Sequence, residues 1–97
     1  MTRQDIFDTY PGGSQDLVFL EPEYFDKAII GIAQRMDNIF AVCYSEPTII
    51  RLLQEHEGMN QDEAVEWFNF NTFGAFLGLE NSPIFVDDEI LFELDAD

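Results

Sequence analysis

Ninety-seven residues carry twenty Asp and Glu against four Lys and Arg, a formal net charge of −16. Such a surface repels DNA, RNA and anionic lipid, which are bound through Lys and Arg that replace condensed counterions, so direct nucleic-acid or membrane-surface binding is nearly excluded. Hydrophobic residues at 46%, ten Phe among them, exclude a charged disordered chain, and a globule this short buries only roughly 60–65% of its unfolded surface, enough for one core but not for a large cofactor cavity.

Residues 1–16 place Pro11, Gly12, Gly13 and Ser14 among few apolar positions and read as an arm ending in a turn. The amino terminus lacks a basic stretch followed by an apolar run, and no window reaches the ~18–20 apolar residues of a membrane span, so a cytoplasmic protein is expected. Leu17, Val18, Phe19 and Leu20, closed by Glu21 and Pro22, suit a short buried strand. Two readings compete from Tyr24 to Tyr44. Tyr24, Phe25, Ala28, Ile29 and Ile32 approximate helical spacing over 23–36, whereas β-branched Ile29, Ile30 and Ile32 around Gly31 favour a strand. The strand reading is preferred, with 27–35 and 39–44 pairing as a hairpin across Met36, Asp37 and Asn38.

Ser45 as N-cap, Pro47 in the first turn, the stripe Ile49, Ile50, Leu52 and Leu53, and Gly58 as a stop predict a helix over about 46–57. Asn60 followed by Glu63 forms a capping-box pattern, and Ala64, Val65, Phe68, Thr72, Ala75 and Phe76 extend a second helix over about 61–77, ended by Gly78. Ile84–Val86 is a strand candidate that continues with Ile90, Phe92 and Leu94 along an edge, giving a strand region of about 84–94. The expected fold is α+β: a small antiparallel sheet, from the hairpin at about 27–44 and short strands at about 17–20 and 84–94, packed against two helices. One domain over 1–97 carries the 1–16 arm and an acidic 87–97 tail.

The catalytic inventory is thin. His56 is the only histidine and stands at the end of a helix, where a surface or capping role is the usual one. Ser14, Ser45 and Ser82 sit in turn or cap contexts without a nucleophile elbow, and no phosphate-binding glycine motif is present. The single Cys43 lies in an apolar run and reads as a buried thiol. Asp87, Asp88 and Glu89 are the best cation candidate, but they lack calcium-loop spacing and read as a solvated acidic turn. No metal, no cofactor and no enzymatic activity are expected. Trp67, Phe68, Phe70, Phe73 and Phe76 are more aromatic surface than one helix face hides, so either the sheet and carboxyl-terminal strand cover them or they form an exposed patch for self-association or docking.

AIIGIA (28–33), Tyr44 at the end of the next apolar run, GMNQDEAVEWFNFN (58–71) and SPIF (82–85) together resemble a group of small, uncharacterised acidic proteins encoded by tailed bacteriophages and related bacterial sequences. The resemblance covers 24–86 and implies a shared α+β fold without assigning a catalytic residue. By analogy with small acidic phage proteins, it implies a role in blocking host restriction enzymes, CRISPR effectors, nucleases or polymerases.

Charge alone attracts a divalent cation, a polyamine or the basic groove of a protein whose proper ligand is nucleic acid, or it serves solubility only, and the resemblance selects the groove among these. At about one charge per 1.7 Å of duplex axis, sixteen net charges match roughly 27 Å of DNA, so the density is duplex-like. The expected partner is the basic groove of a host nucleic-acid-binding protein, inhibited by nucleic-acid mimicry. Residues expected to contact it, chosen as carboxylates outside the core stripes, are Glu21, Glu23, Asp26, Glu55, Glu57, Asp62, Glu66, Asp87, Asp88, Glu89, Glu93, Asp95 and Asp97. The alternatives are a phage accessory homo-oligomer whose acidity serves solubility, and a carboxylate-based metal hydrolase.

Overall fold

The computed structural model describes residues 1–9, 17–34, 39–73 and 81–89, with the side chain of Phe73 outside the description. The amino-terminal stretch is not simply an arm. Arg3–Thr9 forms a short helix, α1, whose Ile6 is buried in the core. Thr2 and Asp5 explain the start of this helix: the Asp5 carboxylate accepts the Thr2 N–H at 2.8 Å, and the Thr2 hydroxyl accepts the Asp5 N–H at 3.2 Å. Residues 10–16, the rest of the expected arm, lie outside the described residues.

The expected strand at 17–20 is absent. This stretch buries Leu20 but joins no ladder. Its backbone is tied by side chains, the Leu20 N–H donating to the Tyr44 hydroxyl at 2.9 Å and the Leu20 carbonyl accepting from Arg3 Nη2 at 3.0 Å. Both readings of the next segment hold in part. Glu23–Ala28 is a 3-10 turn that buries Phe25, Asp26 and Ala28, and the chain then extends into β1, Ile29–Gln34, where the isoleucines begin.

β1 pairs antiparallel with β2, Phe40–Ser45, through a register running from Ile29 opposite Tyr44 to Gln34 opposite Phe40, with a bulge between Ile29 and Gly31. The hairpin therefore stands, and its turn at 35–38 lies outside the described residues. The sheet as a whole is mixed rather than antiparallel. Strand β3, Ile84–Val86, runs parallel to β2 on its other side, giving the order β1-β2-β3. The reversal follows from connectivity, because two helices intervene between β2 and β3 and return the chain to the end from which β2 began. As the central strand, β2 buries Ala41, Val42, Tyr44 and Ser45 on both faces. The strand region ends at Val86, and Asp88 and Glu89 turn. Residues 90–97, including Phe92 and Leu94, lie outside the described residues.

The helix α2, Glu46–Glu57, begins and ends where its caps dictate: Ser45 Oγ accepts the Thr48 N–H, and Gly58 adopts a left-handed φ of 68°. Ile49, Leu52 and Leu53 form its buried face. The helix α3, Gln61–Phe68, opens with a complete capping box between Asn60 and Glu63. It does not run to 77 as an α-helix. After Phe68 the backbone widens into a π-helical turn, Asn69–Phe73. Asn69 and Asn71 hold a helix poorly, and the Asn71 side-chain amide donates to the Trp67 carbonyl at 3.1 Å, competing with the regular ladder. Residues 74–80 lie outside the described residues.

The core gathers Ile6, Leu20, Phe25, Ile29, Val42, Tyr44, Ile49, Leu53, Ala64 and Phe68. Aromatic contacts run through it: Phe68 stands edge-on to Phe85 at 5.0 Å, and Phe85 lies 6.2 Å from Tyr44. A second run, His56 stacked on Tyr24 at 4.1 Å, Tyr24 on Phe25, and Phe25 against Trp67, links the end of α2 through the 3-10 turn to α3.

Candidate functional site

Where the cations sit decides what surface the carboxylates present. Arg3 is consumed inside the fold. Its Nε lies 2.9 Å from Asp26 Oδ2, its Nη2 reaches Asp26 Oδ1 at 2.9 Å, and its Nη1 meets Glu21 at 2.9 Å, while the guanidinium carbon stands 5.1 Å from the centre of the Phe19 ring. Hydrogen bonding to Asp26 above all, with burial opposing and Glu21 adding, holds this guanidinium above its already high ordinary pKa. Arg51 pairs with Glu89 and donates to the Thr48 hydroxyl at 3.1 Å. Lys27 is the remaining Lys or Arg among the described residues; it is exposed and joins no ion pair among them.

The expected contact residues fall into distinct groups. Asp26 is a correction: it was placed outside the core, yet its residue is 4% exposed and its carboxylate is spent on Arg3. A surface partner cannot reach it. The 3-10 turn puts this side chain inward beside Phe25, a direction that helix or strand spacing alone did not reveal. Glu21 and Glu89 are exposed but already paired with Arg3 and Arg51. Asp88 is half-buried and accepts the Ser45 hydroxyl at 2.7 Å, tying the turn after β3 to the start of α2. Glu57 accepts the Tyr24 hydroxyl at 2.9 Å; burial first, and then this contact, push the Tyr24 phenol up to about 12. Asp87 is exposed and accepts the Glu89 N–H. Glu23, Glu55, Asp62 and Glu66 are exposed without an ion-pair partner among the described residues. Glu93, Asp95 and Asp97 lie outside the described residues.

Among the described residues, two hollows flank α3. One, of about 350 Å³, is a groove whose lining includes Glu46, Arg51, Gln54, Val65, Asp87 and Glu89, so that α2, α3 and the turn after β3 meet there. The other, of about 330 Å³, is lined by Met59, Glu63, Glu66, Trp67, Phe70 and Asn71. Glu63, Glu66, Trp67 and Phe70 stand at i, i+3, i+4 and i+7, one stripe of a helix, while Gln61 and Val65 face the other way. Phe70 is 78% exposed. Phe68, two residues earlier, is 1% exposed, so the aromatic surplus of this segment is divided between core and surface. The sequence-based list of contact residues held only carboxylates and omitted Glu46, Met59, Glu63, Trp67 and Phe70; the i, i+3, i+4, i+7 spacing was the signal for the second hollow.

His56 is exposed and stacked on Tyr24, and Cys43 is half-buried in β2. Among the described residues no three His, Cys, Asp or Glu side chains gather so as to hold a metal ion, and no described helix is long and apolar enough to cross a membrane. The chain matches no family model, no curated protein and no solved structure.

Proposed function

We propose that this protein is a binding module that offers a carboxylate surface to the basic groove of a nucleic-acid-handling protein and inhibits it by occupying that groove. The observation that carries the reading is the division of charge. Arg3 and Arg51 are paired with carboxylates of the same chain, while Glu23, Glu55, Asp62 and Glu66 stand exposed and unpaired among the described residues. A surface arranged in this way attracts a Lys- and Arg-lined groove through many weak contacts, each screened by salt over about a Debye length of 10 Å at 0.1 M. The resemblance to tailed-phage proteins supports a bacterial host enzyme as the target, a restriction enzyme, CRISPR effector, nuclease or polymerase, met in the host cytoplasm.

The test is affinity capture from bacterial lysate at low salt, with stepwise NaCl elution and competition by duplex DNA or RNA. One nucleic-acid-handling protein, released by salt and by the competing nucleic acid, is expected, and the triple variant Glu23→Lys, Glu55→Lys, Glu66→Lys is expected to lose it, whereas single reversals cost little. Recovery of promiscuous basic proteins alone would overturn the reading. The exposed Phe70 favours a second reading, a homo-oligomer formed through aromatic surface. That reading requires a defined oligomer that persists in high salt, where charge contacts fade and apolar ones remain.

A further inference from the structure

We propose that the hollow on α3 formed by Met59, Trp67 and Phe70 and rimmed by Glu63 and Glu66 is a socket for an arginine side chain of a basic partner segment. This deepens, and rests on, the reading of the chain as a binder of basic protein surfaces. It goes further in naming a point of anchorage where charge alone predicts only a diffuse array.

The hollow is ready-made on three counts. Trp67 is half-buried and its ring lies 6.2 Å from Phe25, so the core holds it while it lines the hollow. Its carbonyl accepts the Asn71 amide, which steadies the π-helical turn carrying Phe70. Glu63 Oε1 is fixed by the Asn60 N–H at 3.0 Å, leaving its second oxygen for a donor outside, and Glu66 has no ion-pair partner among the described residues. Phe70, largely in water, contributes little to the core.

The chemistry of the lining selects the occupant. Aromatic faces beside carboxylates suit a flat, weakly hydrated cation that can stack and donate at once, which describes guanidinium better than the compact, strongly hydrated ammonium of lysine. A purely apolar occupant would desolvate Glu63 and Glu66 without compensation. A second copy of the chain would bring another net −16, and a two-fold contact would set the Glu63 and Glu66 rim against itself. Charge complementarity therefore assigns the hollow to a basic segment.

Trp67 is the only tryptophan, so its fluorescence reports the hollow directly. The probes are three capped pentapeptides, identical except that two positions are arginine, lysine or citrulline, the last a neutral isostere of arginine. The arginine peptide is expected to change Trp67 emission saturably at low salt, to bind about fivefold more tightly than the lysine peptide, and to exceed the citrulline peptide by more. Phe70→Ala, at an exposed position where folding is not at stake, is expected to weaken the arginine peptide by roughly tenfold, between the exposed and the desolvated scales of a cation–π contact, and to leave the lysine peptide nearly unchanged. Glu66→Gln is expected to weaken both. Equal binding of the arginine and lysine peptides, with Phe70→Ala silent, would overturn the socket and leave the charge-array reading standing. Failure of both cationic peptides to bind would overturn both readings. A dimer that dissociates on dilution and is lost in Phe70→Ala would assign the hollow to self-association instead.

Discussion

Replacing Arg3 by Ala tests the structural premise of the charge map, that one cation is committed to the interior. The Asp26 carboxylate receives the Arg3 backbone N–H at 3.0 Å and the guanidinium through Nε and Nη2, with side-chain exposures of 19% for Arg3 and 6% for Asp26. Arg3→Ala keeps the backbone donation but leaves a buried carboxylate without its counter-charge. Removing one partner of a buried pair costs about 3–5 kcal/mol; the partial exposure of Arg3 lets water approach, so about 3 kcal/mol is expected. Asp26→Asn, which removes the charge and keeps the shape, is expected to cost about 1–2 kcal/mol, because Arg3 retains Glu21, the Leu20 carbonyl and the Phe19 ring. Urea unfolding followed by far-ultraviolet circular dichroism measures both. With a slope of about 1–3 kcal/mol per molar, the Arg3→Ala midpoint falls by roughly 1–3 M. The double variant is expected to be less unstable than the sum of the two, with a coupling of about 2 kcal/mol. An Arg3→Ala loss under about 1 kcal/mol, or strict additivity, would refute the buried pair.

Tyr44 sets an alkaline limit: burial above all pushes its phenol up to about 12 against an ordinary 10, so the stability it adds is full below pH 10 and is lost as pH rises from about 10 to about 12. The fall in urea midpoint from pH 8 to pH 11 is expected to shrink in Tyr44→Phe, Tyr24 carrying a remainder over the same window, and the variant costs about 1–3 kcal/mol at pH 8 because the Leu20 N–H loses its acceptor. Ser45→Ala removes both the α2 cap and the partner of Asp88, and is expected to cost about 1–2 kcal/mol in thermal unfolding, with Asp88→Ala recovering little in addition if the two act as a pair. Asn60→Ala opens the α3 capping box at a cost of about 1 kcal/mol, read as a fall of about 4–8 °C in Tm.

The helices were legible in the sequence because their signals are local. Ser45 and Gly58 bound α2, and Asn60 with Glu63 starts α3, as the capping patterns require. The hairpin was legible because Ile29–Gln34 and Phe40–Ser45 are apolar runs separated by turn residues. What failed was non-local. The parallel pairing of β2 with β3 depends on where two helices return the chain, which no short window contains. At 17–20 an apolar run looked like a strand, but its backbone groups found Tyr44 and Arg3 instead of a neighbouring strand. α1 was hidden because only Ile6 of its residues is buried, so no periodic stripe announces it. The end of α3 was misread because apolar spacing continued past Phe68 while the asparagines altered the backbone beneath it.

The site divided along the same line. A carboxylate reads identically in sequence whether it stands in water or faces a guanidinium, so Asp26 was grouped with Glu23 and Glu55 although the fold gives it the opposite role. Pairing of this kind has a consequence for specificity. Arg3, turned inward onto Asp26, cannot compensate the surface, so among the described residues the exterior keeps only Arg51 and Lys27 against its exposed carboxylates. A predominantly acidic surface accelerates encounter with a basic partner but distinguishes poorly among partners, since any basic groove lowers its energy. Discrimination has to come from a feature with shape and short range. On α3, Trp67 and Phe70 beside Glu63 and Glu66 line one hollow of defined shape, and under the proposed function the charge array would bring a basic partner close while this hollow would decide which side chain stays.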